Sequence, residues 1–307
     1  VKATDAVDEI LALGADCHLF MLLGAEPGTA KPVTERLVKI LRAGQNVCQT
    51  SLIPMCYPEY APEELRGPIE AACAEGNSRL FTTGIFPGII NDLMTTPFLA
   101  CSERVDLVRI TEMLNYGEYY GADFARGMGV GGPIPDPKSM EGALAGHDAA
   151  GHMSPPIRFL GSRIGAEIDE IRLAGVEFAP AVNRVEVEDL VIEPGSVGAY
   201  KLCYEGLSKG RPVVETWFVT RFDYDSASDW PAPRSGSKGC YRIEIEGSLS
   251  LKVDIDLMGR RDSPSQTRGF PTSGAALGAN LLGASAAVNA IPLVLKLDPG
   301  VYGMSDP

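Results

Sequence analysis

The stretch Arg79-Leu80-Phe81-Thr82-Thr83-Gly84-Ile85-Phe86-Pro87-Gly88-Ile89 decides the fold. An apolar run enters a Gly-x-x-Pro-Gly turn, and Ile89 is expected to open a helix whose free N–H groups point back at the strand end. Two earlier segments have a similar form. Residues 46–51 read as a strand, preceded by a helix with Val33, Leu37, Ile40 and Leu41 on one face and Gly44 as its stop. Residues 17–23 form a continuous apolar run ending at Gly24, the pattern of a strand buried on both faces. Pro62, Glu63 and Glu64 open a further helix, which should close at Gly76. Strands alternating with such helices imply right-handed crossovers and a parallel sheet.

After about Glu103 the pattern changes. Residues 105–113 are strand-like, and residues 127–154 form a long Gly/Pro-rich connection. The run Gly127-Met128-Gly129-Val130-Gly131-Gly132-Pro133 reads as a loop, because no apolar strand leads into it and prolines follow. A helix is expected from Pro156, carrying Ile157, Leu160, Ile164, Ile168 and Ile171 on one side. Strand-rich segments follow at 185–192, 197–204, 213–224 and 241–257, with Ser208-Lys209-Gly210 as a hairpin turn. No charge interrupts residues 269–295. Residues 275–295 could span a bilayer by length, but they consist largely of Ala, Gly, Ser and Asn, with Pro292 inside. They are expected to form a closely packed helix returning to the first domain.

The expected fold class is therefore α/β. It has a truncated Rossmann-like parallel sheet (1–102), an α+β mixed-sheet substrate and dimerisation domain (103–270) and a returning C-terminal helix (271–307). A sheet of this kind should begin with a strand and a G-x-G-x-x-G turn, which are expected upstream of Val1.

The 307 residues are 45% hydrophobic and 22% charged, enough for a sizeable core. A net charge of −13 argues against a nucleic-acid partner but not against a dinucleotide seated on backbone N–H groups. Seven dispersed cysteines without a CxxC pair suggest free thiols in a reducing compartment, and three histidines show no metal-ligand spacing. We expect a cytoplasmic protein with no structural metal and no membrane span.

Ligands of open α/β sheets bind beyond the C-terminal strand ends. That rule selects Gly24, Thr50, Ser51, Gly84, Pro87 and Gly88 as candidate cofactor contacts. Candidate proton donors lie in the second domain, at Glu112, Tyr116, Glu118, Tyr119, Tyr120 and His152. Of these, Glu112, Tyr119 and His152 are the leading catalytic candidates.

The segment Thr82-Thr83-Gly84-Ile85-Phe86-Pro87-Gly88-Ile89 resembles the G-[ST]-G-x-x-P-G-[FI] segment of dihydrodipicolinate-reductase-like dehydrogenases. That group includes 2,4-diaminopentanoate dehydrogenase and the native amine dehydrogenases. Gly44-Gln45-Asn46-Val47 is similar to their G-x-[NH]-V strand, and Ala287-Val288-Asn289-Ala290-Ile291-Pro292 to their A-[VI]-N-A-[IV]-P motif, which adds Asn289 to the cofactor candidates. The HH-x-R-H pattern of true dihydrodipicolinate reductases is missing, which argues against lysine biosynthesis. The resemblance implies a homodimer that transfers hydride between NADPH or NADH and a C=N or C=O bond of a small amine, imine or ketone. The competing expectation is a catalytically silent dinucleotide- or metabolite-binding protein of the same fold.

Overall fold

A computed structural model describes residues 4, 6–22, 30–118, 121–136, 152–260, 273–304 and 306. The chain divides into two units. The first comprises Val1–Met94, Ala150–Phe159 and Leu282–Pro307; the second comprises Thr95–Ala149 and Leu160–Leu281.

The elements up to residue 99 are α1 (Val7–Leu11), β1 (Cys17–Phe20), α2 (Ala30–Arg42), β2 (Asn46–Gln49), α3 (Glu63–Gly76), β3 (Arg79–Thr82) and α4 (Thr96–Leu99). Next come β4 (Val105–Asn115), α5 (Ala122–Gly127), α6 (Ser154–Arg163), β5 (Glu170–Pro180), β6 (Val185–Val187) and β7 (Leu190–Ile192). The remainder are β8 (Val197–Ser208), β9 (Arg211–Arg221), β10 (Gly239–Gly247), β11 (Leu251–Asp256), β12 (Gly259–Arg260), β13 (Ser273–Gly274), α7 (Ala275–Val294) and β14 (Gly300–Tyr302).

The first unit holds a parallel sheet of order β1-β2-β3-β14. Val33, Leu37, Ile40 and Leu41 of α2 are buried, as their spacing requires, and join Val47, Ile69 and Leu80 in one core. Several expectations change. The first strand stops at Phe20, and Leu19 is 46% exposed, so the strand is not buried on both faces. Helix α3 closes at Gly76 as expected, with Asn77 as its cap in the left-handed conformation at φ 51°. Gly76 also permits close helix packing, since a Cβ there would lie 1.9 Å from the Leu41 carbonyl oxygen. Replacing Gly76 by Ala should push α3 off α2 and cost about 1–3 kcal/mol, the scale of an overpacked contact. Unchanged urea unfolding would contradict that close approach.

The fourth strand, β14, was not foreseen; it pairs with β3 from the far end of the chain. In α7, Ala287, Ala290 and Val294 pack against Cys48 and Phe81 of the first sheet. This helix is long and apolar enough to cross a membrane by length and composition alone.

The second unit is built on a six-stranded mixed sheet, order β11-β10-β4-β9-β8-β5, in which only the β4–β9 pair is parallel. The β8–β9 turn has Lys209 at φ 52° and Gly210 at φ 74°, the two positive values that a tight hairpin demands. The strand-rich segments 185–192 and 241–257 each hold two strands. Glu188 at φ 53° folds β6 onto β7, and a short turn separates β10 from β11. The helix from Pro156 also ends early. Gly165 at φ 70° breaks it, so Ile168 packs back on Gly161 and Ile171 belongs to β5. The run at 127–133 is a loop; Gly131 donates to Val197 O, and Val197 donates back to Gly132 O, both at 2.9 Å.

Candidate functional site

Among the described residues, two buried carboxyls have a raised pKa, one in each unit. In the second unit, Glu112 lies inside β4 between Tyr241 of β10 and Phe218 of β9. It is 5% exposed, so it is neither a solvated strand-end acid nor an open one. The Tyr241 hydroxyl donates to Oε2 at 2.9 Å and the Tyr116 hydroxyl to Oε1 at 3.4 Å. Burial pushes the Glu112 carboxyl up to about 7, although both phenols favour its charged form. Tyr200, buried nearby, is itself raised, first by burial and then by the Glu112 charge. The result is a carboxyl that changes protonation near neutrality, wrapped in phenolic hydroxyls. Tyr116 is half-buried and forms the outer member of the cluster.

In the first unit, Gly84 and Gly88 fold the segment after β3 into a self-closing turn. Ile85 and Gly88 form a β-bridge across it, and the Phe86–Pro87 peptide is cis. The expected helix from Ile89 does not form. The Ile89 N–H donates to Gly84 O (3.1 Å), Ile90 to Ile85 O (3.0 Å) and Asn91 to Gly88 O (2.8 Å). Those N–H groups are spent inside the loop, so they are not free to meet an anion. The glycines are likewise required by the turn: a Cβ on Gly88 (φ 131°) would fall 2.4 Å from the Gly84 carbonyl, and one on Gly84 would fall 2.3 Å from Pro87 O.

Under this turn lies a polar cluster that sequence reasoning did not single out. The Tyr57 hydroxyl donates to Gly88 O at 3.3 Å. Asp92, 2% exposed, accepts the Leu93 N–H on Oδ1, while Oδ2 has no partner among the described residues. Burial raises Asp92 to about 7, and its charge helps to raise Cys56 and Tyr57. Both amide atoms of Asn91 and the hydroxyl of Thr83 are also buried without partners among the described residues. The signal was the polar pair Asn91-Asp92 after an apolar turn. Gln49 was missed as well. Fully buried, it accepts Ser51 and Leu52 N–H groups (both 2.7 Å) and donates to the Thr82 hydroxyl (2.7 Å), tying the ends of β2 and β3 together.

Of the other candidates, Thr50 donates its N–H to Phe20 O (3.1 Å), and the Ser51 hydroxyl donates to the same oxygen (3.4 Å). Thr50, Ser51, Gly84, Pro87 and Gly88 thus share the C-terminal edge of one parallel sheet. Asn289 is exposed on α7. His152 is half-buried in the turn before α6 and groups with the first unit, whereas Glu112 belongs to the second. Gly24 and Tyr119 lie outside the described residues. Among the described residues no three His, Cys, Asp or Glu side chains converge as metal ligands.

Comparison with known proteins bears on this arrangement. No family model matches the chain. It is 27% identical over 310 residues to an amine dehydrogenase of Streptomyces virginiae, covering all of this chain and 81% of that protein. Among solved structures, amine dehydrogenase from Mycobacterium smegmatis superposes with a TM-score of 0.69 at 19% identity, over 97% of this chain and 78% of that one. The fold is Rossmann-like. A putative oxidoreductase from Magnetospirillum magnetotacticum MS-1 is more remote, with a TM-score of 0.44 at 12% identity over 98% of this chain and 79% of that one. Membership of a dihydrodipicolinate-reductase-like family is not shown.

A dinucleotide is the group that such a fold implies. The edge after β3 suits its polar nicotinamide end in one respect, since the Thr83 hydroxyl is buried there without a partner among the described residues.

Proposed function

We propose that the protein is an NAD(P)H-dependent oxidoreductase that interconverts a small amine and the corresponding imine or ketone. One observation carries the reading: the relationship to an amine dehydrogenase runs through the whole chain. The wider dihydrodipicolinate-reductase-like grouping rests on the sequence segments 82–89, 44–47 and 287–292 alone.

Bound at the C-terminal edge of the parallel sheet, the coenzyme supplies the hydride. Thr50, Ser51 and Thr83 are the residues assigned to hold it, on strand ends shaped by the closed turn of Gly84, Pro87 and Gly88. Glu112 is assigned the proton. With its pKa near 7 it is divided between acid and carboxylate at neutral pH. Oε1 can give up a proton through the Tyr116 hydroxyl toward a substrate nitrogen, and the carboxylate form stabilises the positive charge of an iminium. A homodimer located in the cytoplasm completes the proposal.

The test is coenzyme oxidation by the full-length protein over a panel of small ketones and aldehydes, with and without excess ammonia. Turnover that appears only with ammonia, or with a preformed cyclic imine, is the expected result. Equal rates without ammonia would make the protein a carbonyl reductase.

A further inference from the structure

Cys17 and Cys48 stand apart from the other cysteines of the first unit. They lie on the adjacent parallel strands β1 and β2, and the Cys17 thiol meets Cys48 Sγ at 3.7 Å. Cys48 is fully buried against Phe81, Ala287, Ala290 and Val294, while Cys17 is half-buried at the margin of that cluster. One thiol is therefore accessible and the other is held behind it. Nothing in the proposed hydride chemistry uses either.

We propose that Cys17 and Cys48 form a reversible oxidation site, closing to a disulfide when a peroxide reaches Cys17. The Cys17 thiolate attacks a peroxide oxygen; an S–O bond forms, the O–O bond breaks, and hydroxide leaves and is protonated to water. Cys48 then attacks the Cys17 sulfur, the S–S bond forms and a second water leaves. Two thiols lose two electrons and two protons, and one peroxide becomes two waters.

Exposure assigns the roles in that order, since Cys48 is fully buried and Cys17 is not. The hydrogen bond with Cys48 lowers the Cys17 thiol, with burial and the Asp16 charge opposing. The same contact, followed by burial, raises Cys48. The attacking sulfur is thus the accessible one. The register adds a constraint. Cys17 is paired directly with Asn46, and Cys48 with Leu19, so the two cysteines are diagonal neighbours on one face. Closing the bond requires β1 to move along and toward β2. A bridge made by moving backbone is more easily reduced than a relaxed one. Cys56, Cys73, Cys203 and Cys240 are buried with thiols raised chiefly by desolvation, which disfavours the reactive thiolate.

The test uses the full chain carrying Cys101→Ser, which removes the exposed thiol. Fully reduced protein is treated with hydrogen peroxide at neutral pH, alkylated, digested without reductant and mapped by mass spectrometry. The expected product is a peptide pair joining Cys17 to Cys48, two hydrogens lighter than its parts, which dithiothreitol reopens. Adding Cys48→Ala should leave Cys17 as a sulfenic acid that dimedone captures, with circular dichroism confirming an intact fold. Recovery of Cys17 as sulfinic acid beside alkylated Cys48, or of both as alkylated thiols after peroxide exposure, would overturn the proposal.

Discussion

Glu112→Gln is expected to lower turnover about 10²-fold or more while leaving coenzyme affinity nearly unchanged, the usual scale for a positioned acid or base. Gln keeps the volume and can still pair with the Tyr241 and Tyr116 hydroxyls, so the change isolates the ionisable group. The same substitution should move stability the other way. Glu112 titrates near 7 in the folded chain and near 4.3 when unfolded, so folding takes up a proton between those values. The folded state binds more protons in that window, and stability therefore falls as pH rises through it and levels off above about 7. At pH 8 the buried carboxylate costs roughly 3 kcal/mol relative to a neutral group. Glu112→Gln should thus unfold at higher urea than the parent at pH 8 and nearly alike at pH 4.5. Asp92, raised to about 7 by the same cause, contributes a fall of the same sign in the first unit. Unchanged activity combined with raised stability would leave Glu112 as a structural burden with no part in the reaction.

Gly88→Val should cost about 2–4 kcal/mol of folding stability, combining backbone strain with a backbone clash. The residue sits at φ 131°, where a β-branched side chain is strained, and its Cβ would fall 2.4 Å from the Gly84 carbonyl. Opening the turn would also release the Tyr57 hydroxyl from Gly88 O and uncover Asn91 and Asp92. On the sequence alone the glycine is expected to matter mainly to the coenzyme, with modest loss of stability. Once the turn is seen to close on itself, stability and coenzyme affinity should fall together. Urea unfolding without coenzyme separates the two: a loss below about 0.5 kcal/mol, the range of an unremarkable surface substitution, with coenzyme affinity abolished, would restore the ligand-facing role.

The parts of the fold legible in the sequence are those set by local periodicity or local backbone chemistry. Val33, Leu37, Ile40 and Leu41 mark the buried face of α2 at helical spacing, and Lys209-Gly210 supplies the positive φ values of a hairpin. What was hidden depends on distant partners. Strand β5 was obscured because Ile168 and Ile171 continue the helical spacing of Ile157, Leu160 and Ile164, and only the turn at Gly165 ends it. Strand β14 is three residues long and gains its place by pairing with β3, more than 200 residues earlier in the chain. The site divides in the same way. Glu112 could be chosen as an acid beside an apolar run, but its raised pKa comes from burial under Tyr241, 129 residues away. Gln49, Asn91 and Asp92 were missed because their importance lies in where their polar atoms are buried, which one strand's pattern does not encode.

The most direct measurement of the central claim follows the hydride itself. Full-length protein is incubated with a small ketone, excess ammonia and coenzyme deuterated at the nicotinamide C4, and the products are analysed by mass spectrometry. An amine carrying one deuterium on the carbon bonded to nitrogen is the predicted result. Deuterium recovered in an alcohol, or retained wholly in the coenzyme while the coenzyme binds tightly, would contradict it.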